Sequence, residues 1–141
     1  MNNNPFNNPL VRMTREIDAL KKKLAALVSN RALYMVLNEN TPAQPTASVN
    51  DYAPGDFDIL RMSSSAAWNI TGISGGKKGR VLHILNVGAQ NILLLHQSAS
   101  SSAANRIISP TAATITLGTN DSAVLYYDST DARWRFLAYS L

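Results

Sequence analysis

RVLHILNVGAQNILLLH, residues 80 to 96, consists of two apolar runs separated by Asn, Gly and Gln. The runs are short and bounded by turn residues, so the stretch reads as strand, turn, strand. The same alternation continues outward on both sides. FDILRM (57–62), AWNITGI (67–73), RVLHILN (80–86), NILLLH (91–96), NRII (105–108), ATITLG (113–118), SAVLYY (122–127) and RWRFLAY (133–139) all read as strands. Turn chemistry in SGGKKG, NVGAQ, GTND and DSTDA separates them. Short strands at this spacing predict a mainly β domain over residues 57–141, a β-sandwich or jelly-roll-like unit. RVLHILN and SAVLYY are apolar on both faces, where a half-solvated antiparallel sheet would alternate more cleanly. One face is therefore expected to fill the core and the other to meet a neighbouring subunit.

Upstream, the period changes. In LVRMTREIDALKKKLAALVSN (10–30), Leu10, Met13, Ile17, Leu20, Leu24 and Leu27 recur at alternating spacings of three and four. That is a heptad pattern, with Leu10, Ile17 and Leu24 at a and Met13, Leu20 and Leu27 at d. Pro9 stands where a first helical turn tolerates proline. Glu16 at g and Lys21 at the following e suit pairing across a parallel seam. The narrow stripe favours a coiled-coil helix over residues 10–37 rather than one amphipathic helix packed on its own domain. The a and d residues leave two strands or three open. Fewer than three heptads make a marginal seam, so the β domain is expected to help hold the copies together. Between helix and strands, NENTPAQPTASVNDYAPGD (38–56) carries three prolines and reads as a linker. RALYMVL (31–37) either continues the helix or begins a strand.

Charged residues make up only 16% of the chain, against ~25% in an average soluble domain. The net charge of +4 sits entirely in residues 1–31, where six basic groups face Glu16 and Asp18. The remainder is neutral, which argues against nucleic acid as a partner of the β domain. With no cysteine, disulfides and thiolate metal sites are excluded. The apolar runs are too short to span a bilayer, so no membrane partner is expected. MNNNPFNNP (1–9) has neither the basic nor the apolar region of a signal peptide.

The Ser-rich stretch NILLLHQSASSSAANRIISP (91–110) raises a catalytic reading, His96 with Ser98, Ser100, Ser101 or Ser102 and an acid such as Asp128. It has no G-x-S-x-G, and neighbours in sequence are no evidence of geometry, so scaffold is the stronger reading and no catalytic residue is expected. His83 and His96 are not spaced as a metal pair, and Asp121, Asp128 and Asp131 are ordinary turn residues; no metal and no cofactor are expected. SGGKKGR (74–80) lacks phosphate-loop spacing and precedes a strand, which makes it a solvated hairpin loop. Lys21, Lys22 and Lys23 form a basic run on the helix. Trp68 and Trp134, with Tyr126, Tyr127 and Tyr139, are candidate contacts for a sugar ligand, although large aromatics in strands usually pack in cores.

GRVLHILNVGAQNILLLHQSASSSAANRIISP (79–110), followed by DSAVLYYDSTDARWRFL (121–137), resembles a module recurrent in bacteriophage fibres and related virion appendages. The resemblance implies a homotrimeric β-rich knob on a short coiled coil, with the N-terminal segment docked on the virion. Leu10, Met13, Ile17, Leu20, Leu24 and Leu27 would then form the trimer seam, and the arm at 1–9, with Asn2, Asn3, Asn4, Pro5 and Phe6, would dock. It also makes His96, Gln97, Asn105 and Arg106 structural, with Arg106 expected to pair with Asp128 or Asp131. The expected function is that of a non-enzymatic head fibre or capsid decoration protein, localised to the virion and partnered by other virion proteins. The alternative is a tail-side short fibre, adaptor or receptor-binding protein contacting host surface glycans through Trp68 or Trp134.

Overall fold

The computed structural model describes residues 8–33, 37–45 and 47–140. The chain divides into two compact units, residues 1–36 and residues 37–141. The first contains one helix, α1 (Pro9–Leu33). Asn8 caps it: its Oδ1 accepts the Leu10 N–H at 2.9 Å, satisfying a donor that the first turn cannot pair internally. Pro9 follows at the first helical position, where its missing N–H costs nothing.

The second unit is mainly β, with two sheets. Its strands are β1 (Glu39–Asn40), β2 (Ile59–Met62), β3 (Trp68–Ile70), β4 (Val81–Asn86), β5 (Ile92–Leu94), β6 (Ile107–Ile108), β7 (Ile115–Leu117), β8 (Ser122–Asp128) and β9 (Arg133–Ser140). One sheet runs β1-β2-β4-β8-β9-β6 and the other β3-β5-β7. Both sheets face one core. Leu60, Met62, Leu82, Ile84 and Leu125 come from the first, and Trp68, Ile70, Ile92, Leu94 and Leu117 from the second. The period-two alternation of β4 and β8 puts Leu82, Ile84, Ala123 and Leu125 inside, and leaves Val81, His83, Leu85, Val124 and Tyr126 half-buried on the other face.

Each strand expected from the sequence forms, but the connections differ from a jelly roll. β2 pairs with β4 in parallel, as do β3 with β5 and β6 with β9. SGGKKG, read as a hairpin loop, instead carries the chain from one sheet to the other, as the NVGAQ turn does; DSTDA closes a hairpin, between β8 and β9. Turn residues show that a strand ends, not which strand comes next to it. The segment 38–56, read as a linker, belongs to the β unit. Glu39 and Asn40 pair with Ile59 and Leu60, and Val49 and Tyr52 bridge to Ile70 and Ile73. Its prolines keep it irregular between those contacts without detaching it. Of RALYMVL, the helix takes residues to Leu33; residues 34–36 lie outside the described residues.

Asn86, at the end of β4, ties the two sheets together. Its side chain is fully buried. Nδ2 donates to the carbonyls of Gln90 (2.7 Å), Leu117 (2.9 Å) and Gly118 (2.9 Å), and Oδ1 accepts the Gly88 N–H (3.0 Å). Asn86→Ala leaves buried carbonyls without a donor, so it should cost about 2–4 kcal/mol in urea unfolding. A loss below about 1 kcal/mol would show that water replaces the amide there.

Candidate functional site

Three places on the molecule carry the residues that the sequence singles out: the helix stripe, the serine loop and the aromatic core. On α1, Leu10, Met13, Ile17, Leu20, Leu24 and Leu27 form one continuous apolar stripe, each between 45% and 72% exposed. Val28 beside them is exposed as well. Off the stripe, Arg12 and Glu16 pair one turn apart at 3.7 Å. A stripe this regular on a helix has the geometry for packing against like helices. Asn2, Asn3, Asn4, Pro5 and Phe6 lie outside the described residues.

The serine loop is a strut. Ser101 Oγ accepts the Asp51 N–H at 3.0 Å and shares a bond with Thr71 Oγ1 at 2.7 Å. The Ser102 N–H and hydroxyl both donate to the Asp51 carboxylate. Hydrogen bonds from Asn105 and from Ser102 hold that carboxyl below the usual value of 3.8, so it accepts as the anion. Gly72 is required where the strut meets β3, because a Cβ there would stand 2.6 Å from Ser101 Cβ. His96 Nδ1 accepts the Ser109 N–H at 3.1 Å, and Ser109 Oγ lies 3.3 Å from the same nitrogen. The Ser109 hydroxyl donates instead to the Ala113 carbonyl at 2.6 Å, so its proton is committed away from the imidazole. Ser98 Oγ accepts the Ser100 N–H. Each hydrogen bond named here serves to close a loop.

Two expectations need correction. Arg106 does not pair with Asp128 or Asp131; its Nε donates to the Ser101 carbonyl at 3.0 Å, bracing the loop. Arg135, two residues beyond Arg133 on β9, takes both acids instead, Asp128 at 2.9 Å and Asp131 at close range. The strand pairing decides this, since Asp128 lies opposite Arg133 at the closed end of the β8–β9 hairpin and Arg135 points back over it. The Thr130 N–H and Arg135 together hold the Asp128 carboxyl below its usual range, and the two acids raise the Arg135 guanidinium.

Trp68 and Trp134 do not form a sugar platform. They are 2% and 0% exposed, inside the core between the sheets, where no ring face is open to a ligand. Trp134 Nε1–H donates to the Ile73 carbonyl at 2.7 Å, and its ring meets Tyr127 edge-on at 5.3 Å. Trp68 packs edge-on against Tyr52 at 6.0 Å, and its buried N–H finds no acceptor among the described residues. Tyr139, on the exposed half of β9, meets Phe136 edge-on at 5.6 Å.

The SGGKKG loop contributes a feature that sequence reasoning missed. Together with residues 56–58 it walls a polar groove of about 490 Å³ lined by Asp56, Phe57, Asp58, Lys77, Lys78 and His83, among others. Glycines flanking a lysine pair hint at a shaped loop, but the opposite wall lies twenty residues away in sequence. Among the described residues, no three His, Asp or Glu side chains gather where a metal would be held. Comparison with protein-family models, with curated proteins and with solved structures gives no match.

Proposed function

We propose that the chain is a non-enzymatic virion structural protein: a short homotrimeric head fibre or capsid decoration protein, anchored by its N-terminal segment. The observation that carries this reading is the exposed heptad stripe of α1, from Leu10 to Leu27, on a helix that forms a unit apart from the β domain. A water-facing stripe of Leu, Ile and Met is costly, and like helices wrapped in a left-handed coiled coil would bury it. The half-buried outer residues of β4 and β8 (Val81, Leu85, Val124 and Tyr126) give the β knobs an apolar face to share. The likeness of 79–110 and 121–137 to phage fibre modules supplies the virion context. Asn2, Asn3, Asn4, Pro5 and Phe6 are the docking segment of this reading. Threefold symmetry then presents three knobs at once, so that weak contacts add by avidity. The second reading, a tail-side receptor-binding protein, is favoured by the polar groove beside Lys77 and Lys78 rather than by the tryptophans.

The test is attachment to particles. Full-length chain and a variant lacking residues 1–9 are added to particles that lack the protein, and binding is followed by co-sedimentation and antibody labelling in electron micrographs. The truncated chain should keep its oligomeric mass and lose attachment. Attachment by the truncated chain would place the anchor elsewhere, and label at the tail would favour the second reading.

A further inference from the structure

Almost every charged side chain between residues 37 and 140 has a partner. Glu39 pairs with Arg61, and Arg135 with Asp128 and Asp131. Asp51 is held by Ser102, Asp58 by the Asn38 N–H, and Asp121 by the Gly118 N–H. Arg106 and Arg133 donate to the Ser101 carbonyl and to Gln97. Among the described residues of this unit, the charged side chains left over are Asp56, Lys77 and Lys78, and all three line the same groove. Unpaired charges of both signs in one groove are free to meet a ligand there.

Arg80 ties the two loops of the groove to each other. Arg80 Nη1 donates to the Gly75 carbonyl at 2.7 Å, and Nη2 donates to the carbonyls of Gly55 and Phe57. Its guanidinium also lies over the Trp134 ring at 6.0 Å. Arg80 is thus consumed in joining loop 53–57 to loop 74–80 and is not free for a ligand. Gly75 permits this approach, because a Cβ there would stand 2.7 Å from Arg80 Nη1. A second groove of about 480 Å³ shares Asp56, Lys77 and Arg80 with the first. The shared residues join the two grooves into one furrow.

We infer that this furrow binds an acidic polysaccharide, a polymer that carries carboxylates among free hydroxyls. Lys77 and Lys78 meet the carboxylates with charge-assisted hydrogen bonds. Asp56, and the second oxygen of Asp58, accept hydroxyl protons, which an ionised carboxylate does and an ammonium group does not. The half-buried Phe57 ring and the His83 imidazole complete the floor with an apolar face and a further polar atom. Duplex nucleic acid fits less well, because its backbone offers no free hydroxyls to Asp56 and Asp58, which then only repel its phosphates. The inference concerns the β unit alone and stands whether or not the helix docks on a particle.

The test uses the full chain, with oligomers of α-1,4-linked galacturonate as the probe and dextran and duplex DNA as comparisons, by titration calorimetry. Galacturonate should bind and dextran should not. Lys77→Gln with Lys78→Gln should weaken binding about tenfold or more, and Asp56→Asn should weaken it too. Since these three side chains have no partner among the described residues, the thermal transition should not move. A helix control, Lys21→Gln with Lys22→Gln and Lys23→Gln, should bind as the native chain does. No binding at millimolar galacturonate would overturn the inference. So would equal loss in the helix control, or tighter binding by Asp56→Asn, which marks bare charge attraction of the kind duplex DNA would share.

Discussion

Leu20→Asp should convert the purified protein from an oligomer to single chains. Leu20 occupies a d position in the middle of the stripe and is 64% exposed on the isolated helix. If it faced only water, the substitution would change stability by no more than about 0.5 kcal/mol. In a seam it removes a leucine from every copy and places carboxylates opposite one another. Burying one leucine is worth roughly 1.5–3 kcal/mol, so a trimer forfeits roughly 5–9 kcal/mol before repulsion is counted. Fewer than three heptads have no such reserve. The measurement is mass by sedimentation or light scattering at micromolar concentration, with Leu20→Ile as the conservative comparison. An unchanged mass for Leu20→Asp would remove the helix from the interface and leave the proposal without its main support.

The largest effect inside the β unit is expected at Trp134. Its ring is fully enclosed, it meets Tyr127 edge-on, Arg80 lies over it, and its N–H holds the Ile73 carbonyl. Trp134→Ala empties the largest side chain of the core and should cost about 3–5 kcal/mol, enough to unfold a domain of ordinary stability at moderate temperature. Trp134→Phe retains an aromatic ring and strands the carbonyl, so about 1–3 kcal/mol is expected. Chemical denaturation followed by circular dichroism gives both values. If the two variants lost the same amount, the hydrogen bond rather than packing would dominate at this site. The Arg80 contact adds a consequence for the groove, since Trp134 supports the residue that ties its walls together.

Much of this was legible in the sequence, and the part that was not has a common cause. Leu10 through Leu27 announce a helix because their spacing is local and periodic. Val81 through Asn86 and Ser122 through Tyr127 announce strands for the same reason. The Ser101 and Ser102 loop was readable as scaffold, though its partners Asp51 and Thr71 were not, being fifty and thirty residues away. Arg106 was the arginine expected to reach Asp128 or Asp131, and Arg135 is the one that does. Only the β8–β9 register selects which of them reaches Asp128.

The sequence by itself determined the helix with its apolar stripe, the position of each strand expected from it and the two-faced hydrophobicity of β4 and β8. These follow from short-range sterics and side-chain period, which neighbours along the chain suffice to set. Tertiary structure alone decided that the sheets are mixed, that residues 38–56 join them, that both tryptophans are enclosed, and that Asp56, Lys77 and Lys78 line one groove. Those outcomes depend on which distant segments meet, and pairing between distant segments is governed by the whole core rather than by any stretch of it.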